Sequence, residues 1–87
     1  SGTFSHYIVA AGFVTTAVSA AEQEFSVDSG VLASDICVGQ IASLSAPDPS
    51  LYLSYIKVSE PGKIVLMTVS QAEICTVAYV IFRVCVT

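Results

Sequence analysis

The last thirteen residues of the chain, CTVAYVIFRVCVT from Cys75 to Thr87, carry one formal charge, at Arg83. They are β-branched or aromatic almost throughout, a composition that favours an extended strand. Alternate side chains of a strand point to opposite faces. One face carries Thr76, Ala78, Val80, Phe82, Val84 and Val86, and the other carries Val77, Tyr79, Ile81, Arg83, Cys85 and Thr87. Both faces are largely apolar, so both need cover. A chain of 87 residues has little interior to spare for a strand buried on two sides, because a domain this small hides only about 60–65% of its unfolded surface. The economical expectation is that neighbouring subunits supply part of the cover.

Composition sharpens that expectation. Hydrophobic residues make up 54% of the chain and charged residues 11%, against about 25% charged in ordinary soluble domains. The surplus of apolar surface needs either a membrane or a subunit interface. The nearest approach to a membrane segment, YIVAAGFVTTAVSAA at residues 7–21, is broken by Gly12, Thr15, Thr16 and Ser19 and falls short of the about 20 apolar residues a spanning helix needs. Its small-residue end is like that of a signal peptide, but no Lys or Arg precedes it, so the basic flank is missing. We expect no membrane partner. Nucleic acid is excluded by charge: net −4, with Lys57, Lys63 and Arg83 as the only strong cations, too few for a phosphate-binding patch. The acids fall mostly where turns and strand ends are expected, as solvated groups that keep an apolar particle soluble.

The rest of the chain reads as short strands separated by turn signals, the pattern of a small sandwich or barrel. Residues 5–15 alternate well, with Tyr7, Val9, Ala11 and Phe13 on one face and His6, Ile8, Ala10, Gly12 and Val14 on the other. Residues 16–21 are small and form a connector; a helix over 16–23 is the alternative, disfavoured because the apolar positions make no helical stripe. Residues 24–28 form a short strand with Phe25 and Val27 inward, and Asp28-Ser29-Gly30 a turn. Val31 and Leu32 form a small anchor. Residues 36–44 form a strand in which Gly39 marks a bulge or a close backbone approach. The prolines of SAPDPS at 45–50 exclude regular pairing. Residues 51–58 and 63–69 form a hairpin across Glu60-Pro61-Gly62-Lys63, where Pro at the second and Gly at the third position suit a type II turn. In the first of these strands Leu51, Leu53 and Tyr55 are expected opposite Tyr52, Ser54, Ile56 and Val58. Residues 70–73 turn into the terminal strand. We therefore expect one all-β domain over 1–87, a small antiparallel β-sandwich or compact β-barrel of about six strands, with 1–6 as an extended N-terminal arm.

No catalytic or metal constellation emerges. His6 is the single histidine, and no serine sits in a G-x-S-x-G elbow beside which it would act. Cys37, Cys75, Cys85 and His6 lack the close pairing of zinc ligands. Cys75 and Cys85 lie about 33 Å apart on one straight strand at about 3.3 Å per residue, too far to bridge. The three cysteines are read as small buried hydrophobes in a protein made under reducing conditions, with an intermolecular bridge as the alternative. Asp28 and Asp48 are read as turn caps rather than calcium ligands. Glu22 and Glu24 are read as solvated or bridged to a neighbouring subunit. No cofactor and no enzymatic activity are expected.

The interface candidates are His6, Tyr7, Phe13, Tyr52, Tyr55, Tyr79 and Arg83. Tyrosine suits interfaces because the ring is buried while the hydroxyl stays bonded; ordinary core packing is the equal alternative. Arg83 interrupts an apolar strand and needs a partner, since an unpaired buried charge is costly. It either sits on a rim or pairs with an acid such as Glu73 or Asp35, and a pair across subunits is one form of that hypothesis.

Three segments carry a resemblance. SGVLASD at 29–35, IVLMTVS at 64–70 and VAYVIFR at 77–83 are similar, in that order, to the patterns "pGvlaTD", "ItVtfs" and "vsYvvfR" of short tailed-bacteriophage virion proteins. These are capsid decoration or cement proteins, or structural proteins of unassigned role. The likeness spans about residues 25–83. Ser34 stands where Thr is usual, Ser29 where Pro commonly precedes the glycine, and the three cysteines are departures. The resemblance implies a structural virion protein on the capsid surface, synthesised in the host cytoplasm. It would strengthen the shell by binding between capsomers. The implied partners are the major capsid protein and further copies of itself, expected as a homotrimer at the local symmetry positions of an icosahedral shell, with the 1–6 arm as a tether. A head-fibre or tail-associated receptor- or glycan-binding module is the alternative; the loops SAPDPS, SEPGK and DSG carry no aromatic residue to stack on a sugar.

Overall fold

Six strands follow one another: β1 (Phe4–Thr15), β2 (Gln23–Ser26), β3 (Ile36–Leu44), β4 (Tyr52–Glu60), β5 (Lys63–Val69) and β6 (Cys75–Val86). The structure, a computed structural model, describes residues 4–17, 22–44, 52–69 and 74–86. The loops expected at 45–50 and 70–73, most of the 16–21 connector and residues 1–3 of the expected arm lie outside the described residues. Phe4 to His6 of that arm belong to β1.

The strands form two antiparallel three-stranded sheets, β1-β6-β3 and β2-β5-β4. They face each other as a β-sandwich, the all-β architecture expected. The two most continuously apolar strands, β5 and β6, sit at the centres of their sheets. Their inward residues Ile64 and Leu66 (β5) and Cys75, Val77 and Ile81 (β6) are buried. Phe25, Ile56, Leu53 and Val58 of the second sheet meet Val9, Ala10, Val14, Ile41 and Tyr79 of the first around them. Of the two faces read for β6, both expected to need cover, the one carrying Val77, Tyr79 and Ile81 fills this core. Val31, fully buried, enters it from the β2–β3 loop, whereas Leu32 is exposed, so the expected two-residue anchor is one residue.

Bulges set which residues face inward. In β1, Ile8 pairs with Phe82 and Ala10 with Ile81, leaving Val9 as an extra residue. The extra residue shifts the alternation by one. Tyr7 and Val9 therefore share the inner side with Ala10, Gly12 and Val14, while His6 and Ile8 share the outer side with Ala11 and Phe13. This overturns the unbroken alternation read from the sequence, which put Phe13 with Tyr7. Strand β4 behaves alike. Its register shifts between Leu53 and Tyr55 and again between Val58 and Glu60, so Leu53, Ile56 and Val58 point inward and Tyr52 and Tyr55 outward.

Local chemistry fixes the ends. Gly62 has φ 78°, the value a type II turn requires at its third position and one that a side chain would strain. Its carbonyl accepts from the Val27 amide at 2.8 Å and its amide donates to the Val31 carbonyl at 3.0 Å, tying the hairpin tip to the β2–β3 loop. Asp28 Oδ1 accepts from the Gly30 amide at 2.7 Å, the local bond that makes aspartate a turn former. At the far end the Gln23 side-chain amide accepts from the Ala17 amide and donates to the Ala17 carbonyl. Thr16 is buried; its Oγ1 accepts from the Cys75 amide at 3.0 Å and its amide donates to the Cys75 carbonyl at 2.9 Å. Gly39 is the close approach expected: a Cβ there would lie 2.9 Å from the Ala78 carbonyl oxygen and 3.1 Å from Ile56 Cδ1 of the opposite sheet.

Candidate interaction surface

The two outer faces of the sandwich differ in kind. On the β2-β5-β4 sheet, Glu24 and Lys57 flank Val65 on either side. Val65 points away from the core yet is only 5% exposed, because long charged side chains roof it with their apolar stems while keeping their ends in water. Lys63 adds ion pairs to Glu24 (3.6 Å) and Glu60 (3.2 Å), exposed contacts of little energetic weight that mark the face as solvated. Tyr55, also on this face, donates to the Glu22 carboxylate, and that bond raises the phenol's pKa above its ordinary value. Lys57 Nζ lies 5.7 Å from the Tyr55 ring centre. Glu22 and Glu24 thus have partners within the chain, where the sequence left an inter-subunit bridge open.

The outer face of β1-β6-β3 has no such roof. Its register places Phe13, Ala78 and Gln40 in one row, Ala11, Val80 and Val38 in the next, Ile8, Phe82 and Ile36 in the third, and His6 with Val84 in a fourth; Thr15, Thr76 and Ser43 share the row beyond Phe13, and Phe4 pairs with Val86 beyond His6. No row contains Asp, Glu, Lys or Arg. Phe13 is 70% and Ile8 66% exposed, and Ile36, Val38 and Val84 are also exposed. The His6 and Phe82 rings meet edge to face at 6.2 Å between centres. Two hollows lie on this face. One, of about 490 Å³, is lined by Ser5, His6, Ile8, Val80, Phe82 and Val84; the other, of about 360 Å³, by Val38, Gly39, Gln40, Ala78, Tyr79 and Val80. The first is the more apolar. A contiguous apolar patch spanning three strands is unusual on a solitary soluble protein and marks an interaction site.

Of the seven candidates read from the sequence, His6 and Phe13 lie on this face. Tyr52 and Tyr55 are exposed on the opposite sheet, and Tyr79 packs against the core. Tyr7 and Arg83 belong to a closed polar cluster at the end of the sandwich. Arg83 Nε donates to Asp35 Oδ1 at 2.7 Å and Nη2 donates to Asp35 Oδ2 at 2.8 Å and to the Gly30 carbonyl at 3.0 Å. Nη1 donates to the Tyr7 hydroxyl at 3.2 Å, with the guanidinium 5.8 Å from that ring's centre. The Asp35 side chain is fully buried and also accepts from the Leu32 amide at 2.8 Å. The Arg83 guanidinium holds its carboxyl below the usual value, and in turn Asp35 raises the arginine's affinity for its proton. The partner of Arg83 is therefore Asp35 of the same chain, which removes the inter-subunit pair as the explanation for this charge.

Sequence reasoning missed Ile8, Ile36 and Val38 as surface residues. The signal was present in β3, where Cys37 and Gly39, the small residues, alternate with Ile36 and Val38; the smaller set faces the crowded interior. The cysteines divide too. Cys37 and Cys75 are buried and Cys85 is half-buried, so the expectation of three buried thiols holds for two. Comparison with protein-family models, with curated proteins and with solved structures finds no match to this chain.

Proposed function

We propose that this chain is a structural virion protein, of the capsid decoration or cement kind, that works by binding rather than by chemistry. The observation that carries the reading is the uncharged outer face of the β1-β6-β3 sheet, which the chain's own described residues leave open to water. A protein that exposes Phe13, Ile8, Val38 and Val84 together gains by docking, at about 25 cal/mol for each Å² of apolar surface hidden. Spread over many joints between capsomers, that gain would strengthen a shell against the pressure of its genome. The segments that resemble tailed-phage virion proteins support the particular setting. They comprise the β2–β3 loop, β5 and β6, that is, framework rather than reactive groups. The partners proposed are the major capsid protein and other copies of this chain, at the capsid surface.

Adding the purified full chain to expanded shells that lack it tests the reading. Saturable co-sedimentation, and shells that then resist heat or shear, are the expected results. Absence of binding to such shells would overturn the virion assignment. Binding to a glycan array in its place would favour the receptor-binding alternative.

A further inference from the structure

We infer that the outer face of the β1-β6-β3 sheet is closed by the same face of a second copy, related by a twofold axis parallel to β6. The inference deepens the assembly reading above by naming the occupant, and it replaces the threefold arrangement expected from the resemblance.

Charge argues for self-pairing. The chain carries net −4, so two copies repel wherever their acids approach. Of the described acids, Glu22, Glu24 and Glu60 lie on the side of the β2-β5-β4 sheet, Asp28 lies in the β2–β3 loop, and Asp35 is neutralised by Arg83. Stacking the uncharged faces puts those glutamates on the two far sides of the pair. An acidic or basic partner would gain nothing from a face without a complementary charge.

Shape argues for the particular axis. Phe13, on β1, is the most exposed large apolar side chain of the face, and the hollow lined by Gln40 and Ala78 lies in and beside the same row on the β3 side. A twofold axis along β6 exchanges β1 and β3 positions while keeping the row. Each Phe13 then stands over the other copy's hollow, and each Ile8 over the other's Ile36. The floor is low because Ala78, the outward residue there, is small, so the ring has room. Two aligned sheets stack about 10 Å apart in this way.

Size is sufficient. Three strands spaced about 4.8 Å and about nine residues long give a plate of roughly 14 by 30 Å. The two copies together hide about 800 Å² in plan, and side-chain relief raises the accessible area toward the about 1,200 Å² at which specific interfaces begin.

Sedimentation velocity and light scattering on the full chain, over a concentration series, read the outcome. The expected mass is twice that of the 9.1 kDa chain. Phe13→Lys and Gln40→Glu, both at exposed positions, each weaken the pair about tenfold or more, because each sets a charge against an apolar or neutral partner. The double variant recovers to within about threefold, since the axis places each new lysine over the partner's new glutamate. Circular dichroism confirms that each variant is folded; if Phe13→Lys is not, Val38→Glu takes its place as the disrupting change. A monomer at all concentrations, a trimer, or a double variant as weak as the singles overturns the inference. A monomer that still coats shells sinks the pairing and leaves the virion reading standing, whereas a dimer that ignores shells does the reverse.

Discussion

Arg83 and Asp35, forty-eight residues apart in the chain, close on each other through two parallel hydrogen bonds of 2.7 and 2.8 Å. The pair joins the end of β6 to the β2–β3 loop, and the second bond of Nη2, to the Gly30 carbonyl, fastens the turn at the loop's other end. The aspartate and arginine together hold the loop that delivers Val31 to the core.

Replacing Asp35 with Asn keeps the shape and removes the charge. It leaves the guanidinium, 27% exposed at its side chain, without its counterion. The expected cost is about 1–3 kcal/mol, below that of a fully buried pair because water still reaches the arginine. Urea denaturation measures it. Self-association of the folded variant should be unchanged, because the pair lies off the outer face.

The same pair sets a pH dependence with a definite sign. The folded-state pKa of Asp35 is depressed below 3.8, chiefly by the hydrogen bond from Arg83. Above 3.8 both folded and unfolded chains hold the carboxylate ionised, and the stabilisation is fully present. As pH falls below 3.8 the unfolded chain takes up a proton that folded Asp35 resists, so stability declines until pH has passed the folded value. Thermal melts of the wild type and of Asp35→Asn between neutral and strongly acidic pH should differ by a constant amount at higher pH and converge below 3.8.

Gly39→Ala tests the close approach of β3 to its neighbour β6 and to the opposite sheet. Its methyl would sit 2.9 Å from the Ala78 carbonyl oxygen, a backbone atom that cannot turn away, and 3.1 Å from Ile56. A destabilisation of about 1–3 kcal/mol is expected from overpacking, seen as a lower Tm by about 4–8 °C for each kcal/mol. An unchanged Tm would show that both the β6 backbone and Ile56 give way to the added methyl at little cost.

Thr16→Val is nearly isosteric but deletes the hydroxyl that accepts from the Cys75 amide. The amide stays buried and loses its partner, at an expected cost of about 1–3 kcal/mol. Amide hydrogen exchange at Cys75 should rise more than at the middle of β6, which separates local loosening from a general loss of stability.

Thiol labelling should count one reactive cysteine per folded chain. Burial pushes the Cys37 thiol up to about 11, so little thiolate is present at mild pH. Cys75 is buried as well, and Cys85 is half-buried. A thiol reagent at mildly alkaline pH should modify Cys85 first, with the other two reacting after denaturation. Labelling of Cys37 at the rate of Cys85 would contradict the burial described.

Class of fold, number of strands and most strand positions follow from local chemistry, and those are what the sequence by itself determined. β-branched and aromatic runs have no comfortable alternative to the extended state, and the Pro61-Gly62 and Asp28-Gly30 turns fold back on bonds made within a few residues. The two faces of β6 were legible for the same reason, since the register shifts in both of its ladders are absorbed by extra residues of β1 and β3 and β6 itself alternates unbroken. The facing of β1 and β4 was decided only by the tertiary structure. Each extra residue, Val9 in β1 and Ser54 and Ser59 in β4, reverses the alternation, and nothing in the local sequence marks where such a residue will be absorbed; the partner strand decides it by its own register. The same limit applies to the candidate surface. The sequence states that the chain holds more apolar surface than it can hide. Which side stays open depends on which strands end up beside Val65 and which beside Val80. Glu24 and Lys57 fall beside the first, and Ala11 and Val38 beside the second, and that placement is a property of long-range pairing alone.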